Sequence, residues 1–413
     1  MLARALDALH RRDGGRLLAL LIRQFRSFDL AEDALHDAYA KALQRWPIDG
    51  VPDNPAAWIA TVARRCVLDR LKHERRNVSF DCAQVATFEA LDTTGMDGVS
   101  SPIPDERLGL IFMCCHPAIA QPAQVALTLH SLCGLTTREI ARAFVEPEPT
   151  TAQKLTRVKR KIAEAGIAFE LPDANEFAAR LAPVLAVIYF VFNEGYVAST
   201  GNDLLRPNLC AEAIRLGRLL HDLLPEQGEA AGLLALMLLH ESRRDARTDA
   251  DGVLVVLEDQ VRSIWNPVLI AEATALLDGA LLQRRPGPYQ IQAAIAALHA
   301  HAPTAAKTDW LQISALYSAL LRHLPTPVVE LNAAVALAMS TSIDDGLKWI
   351  DRIEQSGALD QYHLLHAAKG DLLRRSGRTE NARTHYIRAR DLAKNRAERC
   401  YLERRILELS KAR

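Results

Sequence analysis

Residues 135–162 read LTTREIARAFVEPEPTTAQKLTRVKRKI, and no other stretch constrains the fold as tightly. Leu135 and Ile140 are spaced as a hydrophobic staple around Thr136, an N-cap whose capping box Glu139 completes. The helix so begun runs to about Phe144, where VEPEP breaks it, because Pro147 and Pro149 each disfavour helix in the preceding residue. Thr150 then reads as the cap of a second helix, with Gln153 as its box partner. Leu155, Val158 and Ile162 give that helix a narrow apolar stripe. Gln153, Lys154, Arg157 and Lys161 share its outward face, with Thr150 at the tip. This is the layout of a helix-turn-helix, whose N-terminal polar side chains reach base edges while later cations meet phosphates. A helical hairpin with a solvated basic face fits the same residues.

The rest of the chain repeats the helical period. Ala and Leu dominate, aromatics make up 6%, and β-branched runs are rare, so the expected fold class is all-α. A chain of 413 residues exceeds one small core and calls for several domains. The formal net charge is zero, so any footprint on DNA must be confined to particular faces. Seven cysteines are scattered through apolar segments, the usage of a reduced compartment rather than of a disulfide framework. The first residues lack the apolar core of a signal peptide, and LAPVLAVIYFVF (181–192) is too short to span a bilayer. A cytoplasmic protein with no membrane partner is expected.

Residues 29–46, DLAEDALHDAYAKALQRW, form an amphipathic helix with Asp29 and Glu32 placed as a capping box. One face gathers Glu32, Asp33, His36 and Asp37, which alone reads as a solvated acidic surface. In the helix at 52–76, Asn54 caps and Pro55 takes the first position. Its second half holds Arg64, Arg65, Arg70, Lys72, Arg75 and Arg76 against only Asp69 and Glu74, more cations than the helix dipole needs and suited to phosphate. Residues 77–104 read as a flexible linker, and 105–132 supply the apolar helices that a helix-turn-helix packs on.

Beyond residue 168 the pattern stays helical. A short hairpin is expected at Asp251-Gly252; Asp249, Asp251 and Glu258 lack the spacing of a calcium loop. Gly370, Leu373, Gly377, Ala382, Tyr386 and Ala389 stand at tetratricopeptide spacing, with a degenerate neighbour at 325–353. Such helix pairs stack into an array with a concave, peptide-sized surface. His116 beside Cys114 and Cys115 sits in an apolar run and reads as core, not as a nucleophile or zinc ligand. Glu194 and His240 read as core polar groups or as part of a small-molecule site. With no phosphate-cradling glycine loop either, no catalytic residue, metal or cofactor is expected.

The order of these elements resembles that of extracytoplasmic-function sigma factors, bacterial sigma subunits with only regions two and four. It comprises an acidic-faced helix, a helix ending in ARRCVLDRLKHERR, a linker, then LTTREIARAF and TTAQKLTRVKRKI. NEGY, LALMLLH, ARTDADG, GPYQIQAAIAALHA and TDW further resemble the group with a tetratricopeptide-like C-terminal extension. The resemblance implies region 2 at 1–76, the linker at 77–104, region 4 at 105–168, a helical extension at 169–290 and tetratricopeptide-like repeats at 291–413. It implies that Glu32, Asp33, His36 and Asp37 dock on the β′ clamp helices of core RNA polymerase, whose β flap meets region 4. Arg64, Arg65, Arg70, Lys72, Arg75 and Arg76 would hold the melted minus-ten element of promoter DNA. Arg138, Thr150, Gln153, Lys154, Arg157 and Lys161 would read the minus-thirty-five element in duplex DNA. The extension is expected to regulate activity, with a protein or peptide as a further partner. A tetratricopeptide scaffold without sigma activity is the alternative.

Overall fold

The computed structural model describes residues 2–77, 106–144, 146–167, 169–173, 176–197 and 207–411; the expected linker, apart from its first residue, lies outside them. Among the described residues every regular element is a helix, and none is long and apolar enough to cross a membrane. The chain divides into two compact units, Met1–Val187 and Ile188–Arg413.

The first unit opens with α1 (Leu2–Phe25), α2 (Phe28–Asp49) and α3 (Pro55–Asn77). They bury one core, from Leu18 and Ile22 through Leu35, Ala38 and Trp46 to Ile59 and Val67, and the Trp46 and Trp58 rings meet edge-on at 5.4 Å. Asn54 caps α3 as read, accepting from the Ala57 amide, with Pro55 first in the helix. The cap of α2 differs from the expectation: Ser27, not Asp29, accepts from the Leu30 amide. The physical reason is the box partner, since Glu32 is drawn away from the helix end into a buried ion pair.

Next come α4 (Glu106–Cys114), α5 (Gln121–Ser131), α6 (Thr137–Ala143) and α7 (Glu148–Glu164). Leu108 to Cys114 are all buried, which explains the unbroken apolar run. The capping box of α6 forms as read: Glu139 accepts from the Thr136 amide at 2.8 Å, and Thr136 Oγ1 accepts from the Glu139 amide at 3.2 Å. Leu135, Ile140, Leu155, Val158 and Ile162 are buried beneath the α6–α7 pair. The start of α7 corrects the reading at Thr150. Pro147 takes the cap position and Pro149 fits the first turn, where a missing N–H costs nothing. Thr150 is therefore already helical and exposed, and buried Thr151 donates to Glu146 at 2.5 Å.

In the second unit α10 (Gly228–Ser242) is buried almost all round, wrapped by α9 (Pro207–Leu223), α11 (Pro267–Leu281) and α12 (Pro288–His301). Gly232 permits this crossing, because a Cβ there would stand 2.7 Å from the backbone nitrogen of Gln290. The division between the units falls within α8 (Phe177–Tyr196). Successive helices joined by short loops follow: α13 (Trp310–His323), α14 (Pro327–Ser340), α15 (Ile343–Gln355), α16 (His363–Arg375), α17 (Thr379–Leu392) and α18 (Arg396–Lys411). Gly370 on α16 lies under the Tyr386 ring of α17, 3.1 Å from where its Cβ would be. The expected hairpin at Asp251-Gly252 forms in miniature: Thr248 and Leu254 pair as one antiparallel bridge, the Asp249 amide donates to the Val253 carbonyl and the Val255 amide to that of Arg247, and the Asp249 carboxylate accepts from the amides of Asp251 and Val253. Asp249 and Glu258 are ion-paired to Arg404 and Arg375.

Tyr386 is 1% exposed and joins the cores of α16, α17 and α18. Y386A should cost the second unit about 3 kcal/mol or more, read as a lowered midpoint in urea unfolding.

Candidate nucleic-acid interface

Three charged surfaces compete for this part of the chain, and their burial ranks them. On α2, Asp33 and Asp37 point outward, with side chains 60% and 46% exposed, and Arg70 of α3 donates to both at 2.8 and 2.7 Å. Exposed pairs of this kind contribute roughly 0–1 kcal/mol, so a partner with its own cations can replace Arg70. His36 is exposed beside them.

Glu32 behaves differently. Its side chain is 13% exposed and turns from the acidic face toward α5 and α7. His130 Nε2 on α5 lies 2.8 Å from Glu32 Oε1, and Lys159 of α7 donates to Oε2. Burial alone would raise the Glu32 carboxyl above its ordinary value; the hydrogen bond from His130 and the charge of Lys159 reverse that and hold it at about 2. Lys159 also lies 5.6 Å over the Phe28 ring. Glu32, His130 and Lys159 are half-buried, so removing one partner costs more than in an exposed pair but less than the ~3–5 kcal/mol of a fully buried one. Two further ties run the same way: Arg11 of α1 donates to Glu139 of α6 at 2.6 Å, and Arg23 of α1 to Glu106 of α4 at 2.8 Å.

The outer face of α7 carries Thr150, Gln153, Arg157 and Lys161 as one exposed strip. Lys154 belongs to its edge, donating to Glu146 at 2.8 and 3.0 Å. Arg138 is exposed on α6. On α3, Arg65 and Lys72 are exposed and Arg64 is half-buried; Arg75 and Arg76 continue the helix, but their side chains lie outside the described residues. Sequence reasoning missed Lys159 and His130. The signal for Lys159 was present: it stands four residues after Leu155 and three before Ile162, on the packed side of α7 rather than on its polar face.

The other candidates resolve as structure. Burial pushes the Cys115 and Cys210 thiols up to about 12 and the Cys114 thiol up as well, leaving no nucleophile among them. His116 Nδ1 accepts from the Ala118 amide instead of facing a thiol. His240 packs beside the Phe192 and Tyr196 rings and is held neutral by burial.

Comparison with known proteins adds sequence relationships to this geometry. Residues 9–77 match the family described as sigma-70 region 2, which covers most of α1 and all of α2 and α3. Residues 180–281 match a family of unknown function, DUF6596. Uncharacterized protein R00370 of Rhizobium meliloti (strain 1021) is 43% identical over 397 residues, covering 95% of this chain and 93% of that protein. The probable ECF RNA polymerase sigma factor SigI of Mycobacterium tuberculosis (strains CDC 1551 / Oshkosh and H37Rv) is 26% identical over 161 residues. That match covers 38% of this chain and about half, 54%, of SigI. No solved structure matches.

Because the Glu32 carboxyl is held below its ordinary 4.5, its stabilisation is complete above that value and is lost as pH falls toward about 2. Thermal melts of the chain between pH 6 and 3 should show this acid-side loss, and E32Q should flatten it. A profile identical in wild type and E32Q would contradict the assignment.

Proposed function

We propose that this chain, which shares one family with the Rhizobium meliloti relative and is a sigma factor of the extracytoplasmic-function type with a large helical extension, delivers core RNA polymerase to a promoter through the surfaces described above. The sigma-70 region 2 match on α1–α3 is the observation that carries the reading. Asp33, His36 and Asp37 dock on basic residues of the β′ clamp helices, displacing Arg70, which α3 then offers with Arg64, Arg65, Lys72, Arg75 and Arg76 to the melted minus-ten strand. The α6–α7 pair acts as the helix-turn-helix of region 4, meets the β flap, and reads the minus-thirty-five duplex with Arg138, Thr150, Gln153, Lys154, Arg157 and Lys161. The exposed strip on α7 supports that assignment.

The buried Glu32 pair gives the free chain a closed state in which region 2 holds region 4 through Lys159 and His130. Polymerase favours the open state by binding Asp33 and Asp37, and Glu32 becomes available to it only once α7 leaves. The helical extension acts as a tetratricopeptide-like regulatory surface, and the protein works in the cytoplasm, where its polymerase and promoter are. The chain itself catalyses nothing; the chemistry belongs to the polymerase.

Run-off transcription with core polymerase and candidate promoters tests the reading, with a promoter-dependent product as the expected result. Its absence would favour the scaffold alternative. R157A/K161A should weaken duplex binding across sequences and lower the salt dependence of affinity by roughly one unit of slope for each phosphate-binding cation removed.

A further inference from the structure

The second unit holds a side-chain cluster that the sigma reading leaves unused. Glu354 at the end of α15, His366 on α16 and His385 on α17 bring one donor atom each to within 4.8 Å of one another. The two imidazoles are nearly parallel, with centroids 5.6 Å apart, and their Nδ1 atoms face each other at 3.4 Å. Glu354 Oε1 lies 3.6 Å from His366 Nδ1. A zinc ion bound at 2.0–2.1 Å in tetrahedral geometry separates two nitrogen ligands by about 3.3–3.4 Å, so these Nδ1 atoms already stand along one edge of such a site.

The surroundings suit a bound dication. Glu354 Oε2, the oxygen turned from the imidazoles, accepts from Lys369 at 2.5 Å, and Lys369 also pairs with Asp351 at 2.8 Å. A ligating carboxylate is commonly oriented by such a hydrogen bond on its second oxygen. With both imidazoles neutral, Asp351, Glu354 and Lys369 leave the pocket one negative charge; Asp360 and Arg388 nearby oppose one another. Burial holds His366 and His385 below the usual imidazole value, which keeps their nitrogen lone pairs available. His366 is 7% exposed, so its ring is set by the fold, whereas His385 is half-buried and leaves an entry path.

We propose that Glu354, His366 and His385 form a binding site for one divalent transition-metal ion of the zinc class, with water as fourth ligand, that ties α15, α16 and α17 together. Three ligands on three successive helices have no local sequence spacing, which is why no motif announced them. The ion would fix the relative positions of these helices and make the stability of this array depend on metal supply. The site is independent of the sigma reading.

The test uses the full chain, treated with chelator and desalted, then titrated with Co2+. The expected result is one equivalent of tetrahedral ligand-field absorption in the visible, bleached by Zn2+, together with a rise in melting temperature on adding Zn2+. H385Q and E354Q should each weaken binding by about tenfold or more. Their circular dichroism should match wild type, which separates loss of a ligand from loss of fold. No visible bands, bands unchanged in H385Q and E354Q, or the intense near-ultraviolet band of cobalt–thiolate coordination would each overturn the proposal.

Discussion

One buried carboxylate organises the N-terminal unit. Glu32 is largely withdrawn from water with its two oxygens engaged by His130 and Lys159, so a single side chain ties three helices distant in sequence. A carboxylate so largely withdrawn from water is stabilised by both partners together, and losing either leaves a poorly solvated charge. Arg23–Glu106, similarly withdrawn from water, and the more exposed Arg11–Glu139 add to it. The cationic strip on α7 and the carboxylates on α2 therefore sit on a framework tied across its helices by the Glu32 network and by these two arginine pairs.

The contrast between Glu32 and its neighbours gives that framework direction. Asp33 and Asp37 are held by one exchangeable arginine, so an incoming basic surface meets little resistance there. Glu32 resists. A polymerase that first engages the exposed pair and then needs the buried one binds in two steps, and the second step separates α7 from α2. In such a scheme the closed state lowers apparent affinity in proportion to its population. In the second unit, paired charges likewise tie distant segments, as with Arg375 to Glu258 and Arg405 to Asp259.

Much of the fold was legible in the sequence where a local rule decided it. The Thr136–Glu139 box, the Asn54–Pro55 start and the Leu155–Val158–Ile162 stripe each depend on residues within one turn or two, and each formed as read. Two expected caps failed, one for a distant reason and one for a local one. Asp29 lost the cap of α2 because its box partner Glu32 is claimed by a residue 127 positions away. Thr150 lost the cap of α7 because Pro147 and Pro149 start that helix earlier. The exposed residues of the candidate interface were readable as faces, whereas the cross-helix ties of Arg70, Lys159 and His130 needed the tertiary arrangement.

The affinity of core RNA polymerase for K159M is the most direct test, because Lys159 fastens the proposed closed state and lies off the strip proposed to bind DNA. K159M is expected to bind core enzyme more tightly than wild type, by about tenfold, since a smaller population of the proposed closed state reduces apparent affinity less. Unchanged or weaker binding by a K159M chain with wild-type helicity would contradict it.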